Sequence, residues 1–189
     1  MKIPDDLLPG DHLLYFENSF VDWVIAIKTC CYGASHIEVF DRNDVFIRRD
    51  ELGSDTGVVT MPGGKTSLAS RNGIGVGRYP FRRKGLSYIL RPSVWDHVAA
   101  TAWFERYANG QRYDFLGLLC FTLAVKRGSP DRMFCSEFAR NLDRPASLKS
   151  FSPWTPGDKV SPGAYLLAPG FSAGWKVDKR GNCRILETS

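Results

Sequence analysis

The stretch Ser35-His36-Ile37-Glu38-Val39-Phe40 alternates polar and apolar side chains. Successive side chains of a strand point to opposite faces, so His36 and Glu38 share one face while Ile37 and Val39 share the other. The apolar pair then faces a core, and the polar pair faces a site or solvent. Such a strand needs partners, and the chain supplies several short segments bounded by turn residues. Gly10 to Phe16 reads as a strand entered from a Pro-Gly-Asp turn. A small strand is expected over Val45–Ile47 inside a charged, Gly-rich excursion spanning residues 41–65. Another is expected around Ser67 to Asn72. Gly73 to Gly77 reads as a close-packed strand running into Arg78-Tyr79-Pro80-Phe81, and Leu86 to Leu90 as a further strand. The tail, Trp175 to Val177 and Cys183 to Leu186 around Asp178–Asn182, reads as a hairpin appendage within residues 171–189.

Helical patterns are fewer. Residues 19–32 carry apolar positions at Phe20, Val21, Trp23, Val24, Ile25 and Ile27, closed by Gly33. Ser93 and Asp96 form a capping box that opens a helix through Val94, Trp95, Val98, Ala99, Ala102, Trp103 and Tyr107, with Gly110 as its stop. A second, more buried helix is expected from Tyr113 to about Val125. The apolar run Phe115 to Val125 is about half a membrane span, so it reads as a buried helix rather than a crossing. The last helix covers Cys135 to about Leu142. It begins either with Ser129 as cap and Pro130 as first position, or at Cys135 itself if Met133 and Phe134 are extended. The second start places the thiol where the helix dipole and free amides act most strongly, and reactivity favours it.

Cys135 and His36 are the two parts that a thiol nucleophile needs. The thiolate is the reactive species, and a helix N-terminus with a nearby imidazole lowers its pKa. Against this stands the frequency with which a lone cysteine on an apolar helix is inert packing. The five cysteines, Cys30, Cys31, Cys120, Cys135 and Cys183, have no C-x-x-C spacing and accompany only three histidines. A disulfide framework, a metal site and a cofactor are therefore not expected. Gly64-Lys65-Thr66 invites a phosphate-loop reading, but the motif requires glycine where Val59 stands. The net charge of +5 and a pI near 9.0 suit an anionic partner without selecting one. Nucleic acid is not expected, because Arg82, Arg83, Arg127 and Arg132 have no aromatic residues interleaved at binding spacing. Met1 to Asp6 has no apolar leader region, which gives a cytoplasmic location or delivery by a non-classical route as the expectation.

Taken in order, Gly10-Asp11-His12-Leu13-Leu14, Ser35-His36-Ile37-Glu38-Val39, Tyr113-Asp114-Phe115-Leu116-Gly117, Phe134-Cys135-Ser136-Glu137-Phe138 and Val160-Ser161-Pro162-Gly163 resemble the circularly permuted, NlpC-type (YiiX-like) branch of papain-like cysteine peptidases and amidases. His36 lies 99 residues before Cys135, the permuted order. The resemblance implies a single α+β papain-like domain over residues 1–189, with an antiparallel, partly barrel-like sheet and packed helices. It implies Cys135 as nucleophile, His36 as general base and then acid, and the backbone amide of Cys135 as an oxyanion donor. The third, imidazole-orienting residue is Glu38, or Ser70 or Asn72 on the following strand, and Asp11 and His12 are alternatives for the edge of the site. The implied substrate is a peptide or cell-wall (peptidoglycan stem-peptide) amide, with delivery in a phage particle as one route. Lecithin:retinol acyltransferase-like enzymes share the permuted order but carry an Asn-Cys-Glu-His-Phe context. A module of a larger assembly such as a virion, keeping the fold without the activity, is the non-enzymatic alternative.

Overall fold

A computed structural model describes residues 7–17, 22–25, 34–42, 45–49, 55–60, 65–71, 74–114, 132–152, 155 and 160–186. Strands β1 (His12–Tyr15), β2 (His36–Arg42), β5 (Thr66–Arg71), β6 (Gly75–Pro80), β7 (Leu86–Pro92), β10 (Phe171–Val177) and β11 (Cys183–Ile185) form one sheet in the order β11-β10-β7-β1-β2-β5-β6. Every neighbouring pair runs antiparallel. β3 (Val45–Arg49) and β4 (Asp55–Thr60) make a separate hairpin, and β8 (Arg112–Tyr113) pairs in parallel with β9 (Arg132–Met133). The described helical elements are α1 (His97–Trp103), continued by a π-helical turn (Phe104–Ala108), α2 (Cys135–Asp143), a 3-10 helix (Pro162–Leu167) capped by Ser161, and a short helical turn over residues 22–25. The architecture is α+β with an antiparallel sheet. The sheet is open rather than barrel-like, since β11 and β6 form its two edges. The tail hairpin joins it, β10 pairing with β7.

Strand alternation sorts the apolar side chains onto two faces. Leu14, Ile37, Val39, Leu68 and Leu90 pack with Phe104, Phe138, Ala139 and Leu142 from the helical side. Leu13, Tyr15, Phe40, Leu86 and Ile89 form a second cluster with Val177 and Cys183. Both faces of β2 are therefore covered. The expected polar face, carrying Glu38, is not open to solvent: Glu38 is fully buried beside the second cluster.

Local chemistry moved two helix starts. Asp96, not Ser93, caps α1, its carboxylate accepting from the Ala99 amide at 2.9 Å. Ser93 is engaged elsewhere, donating through both its amide and its hydroxyl to the Gly170 carbonyl. The buried side of this helix and the π-helical turn that continues it is Ala100, Phe104 and Ala108, at i, i+4 and i+8, while Val94, Val98 and Tyr107 are exposed. At Tyr113 the chain is extended in β8 instead of opening a helix. Most of that expected helix, residues 115–125, lies outside the described residues, as does most of 19–32. Gly75 shows why this corner of the fold excludes a side chain. Its φ is +105°, and a Cβ there would stand 2.4 Å from the Gln111 carbonyl oxygen.

Candidate active site

α2 begins at Cys135 because the residue before it is extended. Phe134 has φ −90° and ψ 171°, and its own side chain makes no capping hydrogen bond. The two-residue pairing of β8 with β9 holds Met133 in the extended state, and Ser70 Oγ donates to the Met133 carbonyl at 2.5 Å. Phe134 is anchored by Ile25 and Tyr113. The thiol therefore sits at the positive end of a nine-residue helix. It is buried, and Sγ lies 4.0 Å from the Ser35 carbonyl. Helix α2 packs across β2 and β5, which brings its first turn to the start of β2.

There β2 presents His36, paired across β1 with Tyr15 and packed on that ring at 5.9 Å between centroids. Its Nε2 lies 3.2 Å from Glu38 Oε1, and its side chain keeps 17% exposure. With Nε2 directed at the carboxylate, Nδ1 is the ring nitrogen left for a second partner, and the Cys135 thiol, 4.0 Å from the carbonyl of the preceding Ser35, is near enough to shift the ring's titration. Burial opposes a charged imidazole, but the adjacent Cys135 charge and hydrogen bond, then Glu38, outweigh it and push His36 up to about 9.

Glu38 is held on several sides. One step along from the Val39–Leu68 pair, it faces Ala69, so Ser67 and Arg71 stand at its two diagonals. Ser67 Oγ donates to Oε2 at 2.6 Å, and Arg71 reaches Oε1 through Nε at 2.9 Å and Nη2 at 2.8 Å. Arg82 Nε stands 3.4 Å away, with its guanidinium over the Tyr15 ring at 4.5 Å. Burial would raise the carboxyl, yet the His36 hydrogen bond and charge, Arg71 and Ser67 bring it down to about 2. Burial and the neighbouring Glu38 charge push the Tyr15 phenol well up, and burial with the Cys135 charge does the same to Tyr113.

The other candidates fall elsewhere. Ser70 braces the strand before Cys135 through Met133, and Asn72 lies outside the described residues. Asp11 and His12 are at the opposite end of β1 from Tyr15. Asp11 is clamped by Arg91 at 3.0 and 2.9 Å. His12 is fully buried, with Nδ1 2.8 Å from the Gly10 carbonyl and Nε2 2.9 Å from Asp143 at the far end of α2. Asp143 also accepts from Ser150 and Tyr165, so this cluster ties α2 to the sheet about 12 Å from Cys135. Ser67, Arg71 and Arg82 were not picked out from the sequence. Their signal was available only for β5, where residues alternating with Leu68 must share the Glu38 face.

No family model and no curated protein matches the sequence. Among solved structures, metalloprotein YiiX from Escherichia coli O157:H7 superposes with a TM-score of 0.56 at 19% identity, over 90% of this chain and 96% of that one. The fold is YiiX-like.

Proposed function

We propose that the chain is a cysteine-dependent amide hydrolase of the permuted papain type, with Cys135, His36 and Glu38 as its catalytic residues. The observation that carries the reading is the imidazole of His36, whose Nε2 lies 3.2 Å from the Glu38 carboxylate and whose protonation the neighbouring Cys135 favours, beside a thiol at the first residue of α2. In this reading His36 takes the thiol proton, and the thiolate attacks the carbonyl carbon of the substrate amide. The oxyanion develops against the Cys135 backbone amide. The imidazolium then gives its proton to the departing amine, leaving a thioester. Water, deprotonated by His36, attacks that thioester and releases the carboxylic acid and the thiol. Glu38 holds the ring in orientation and supports its charge, while Ser67 and Arg71 fix Glu38. The substrate class we assign is a peptide or cell-wall amide, as the resemblance implies and a basic protein suits.

The metal in the name of the YiiX neighbour does not fit this donor set. No group of three or more His, Cys, Asp or Glu gathers as ligands among the described residues, and both Glu38 oxygens already accept from Arg71 and Ser67. No step above runs through a metal.

Alkylation with iodoacetamide at mildly acidic pH, mapped by mass spectrometry, tests the reading. An ordinary thiol is almost wholly protonated there and slow, whereas an imidazole-paired thiolate reacts. Fast modification at Cys135, lost in His36→Ala, is expected. Labelling of Cys135 no faster than that of Cys183 refutes the mechanism.

A further inference from the structure

The end of the sheet that carries His36 also carries a cavity of about 850 Å³, between the turn from β6 to β7 and the turn from β10 to β11. Leu86 lies across β1 from His36, both pairing with Tyr15, so the cavity begins two strands away, about 10 Å laterally. Leu86 and Val177 belong to its lining and to the same apolar cluster as Tyr15. Phe16, also on its wall, packs edge-to-face on Trp23 at 5.4 Å, in the helical turn whose Ile25 touches Phe134. The two places are thus neighbours along one sheet end.

Charge gives the cavity its character. Arg83, Lys84, Lys179 and Arg180 line it, against two acids, Glu17 and Asp178. The four cations outnumber the two acids, and Asp178 stands close enough to Arg180 to feel its charge. Glu17 is ion-paired with Arg82, the residue that also approaches Glu38. Asp178 accepts from the Arg180 amide, the Asn182 amide and the Asn182 side chain, closing its own turn. What faces an incoming ligand is therefore a lining of net positive charge interspersed with the apolar side chains of Phe16, Leu86 and Val177.

Resting on the function proposed above, we infer that this cavity binds a carboxylate-rich segment of the peptide substrate, about three to four extended residues from the bond that Cys135 attacks. A peptide running across the ends of β2, β1 and β7 spans the distance. Binding there orders the chain with its amide at His36, and anionic character becomes a specificity determinant.

The test measures binding rather than turnover, on the Cys135→Ala protein, so that it succeeds or fails independently of the alkylation result. Tetraglutamate is titrated into isotope-labelled protein and amide shifts are followed by NMR. Shifts confined to residues 83–87 and 177–182 are expected, weakened about tenfold in Lys84→Glu/Arg180→Glu and further by added salt. Lys149→Glu, exposed on another part of the surface, should leave the affinity unchanged. Dispersed spectra of the variants show that their folding is intact. Three results overturn the inference. They are no localised shifts at millimolar peptide, equal weakening by Lys149→Glu, and inorganic phosphate binding as tightly as tetraglutamate, which would make this a phosphate site.

Discussion

Replacing Glu38 by glutamine removes a buried charge that two arginines and a histidine surround. The folded carboxyl sits at about 2, below its ordinary 4.5. A depressed acid contributes stability that is fully present above its unfolded pKa and is lost as pH falls through its folded value. The window is therefore about pH 4.5 down to about 2, and at about 1.4 kcal/mol per pH unit the contribution amounts to about 3 kcal/mol. Near neutral pH, Glu38→Gln leaves the Arg71 guanidinium without its carboxylate, and breaking such a buried pair costs about 3–5 kcal/mol. Close to pH 2 the wild-type carboxyl is itself becoming protonated, so the gap between wild type and variant should shrink by about 3 kcal/mol. Urea unfolding of both proteins near pH 6 and near pH 2, followed by circular dichroism, measures it. A gap that stays constant to within about 0.5 kcal/mol across that range would refute the account of Glu38 as a charge stabilised by its neighbours.

Arg71→Met should cost about 3–5 kcal/mol near neutral pH and move the acid limb of unfolding upward, because Glu38 keeps its burial and loses its nearest cation. Denaturation at several pH values reads both effects, and an unmoved acid limb counts against the arrangement. The glycines give a paired comparison: Gly110→Ala, with φ +83° and open space beyond, should cost about 1–2 kcal/mol from backbone conformation alone. Gly75→Ala meets the same backbone cost and a carbonyl oxygen that cannot swing away, so its denaturation midpoint should fall clearly further.

Short-range chemistry was well written into the sequence. Alternation located β2, segments bounded by turn residues located β1 and β7, and the order of His36 before Cys135 gave the permuted reading. The Ser161 cap and the Asp178–Asn182 turn follow from residues within a few positions of each other. The capping of α1 was less legible, because Ser93 and Asp96 are both good caps and only the distant Gly170 carbonyl chose between them. The buried side of α1 and its continuation leaves out Val94, Val98 and Tyr107, apolar positions of the sequence pattern, for a related reason. Trp103 and Phe104 are adjacent and both apolar, and both pack on Phe138, yet only Phe104 is fully inside the core that the sheet and α2 share.

What the sequence determined by itself is an imidazole and a carboxylate two residues apart on one strand, while it left two starts open for the helix that carries the thiol, and the extended Phe134 chose Cys135. Tertiary structure decided that the carboxylate is buried, that β5 delivers Ser67 and Arg71 to its diagonals, and that Arg82 approaches from the turn before β7. It also decided that His12, which the sequence offered for the edge of the site, belongs to a cluster at the other end of α2. The reason is physical. Strand register and helix crossing depend on the sum of many small packing energies between residues far apart in the chain, and a one-residue slip would send each of these side chains to the opposite face.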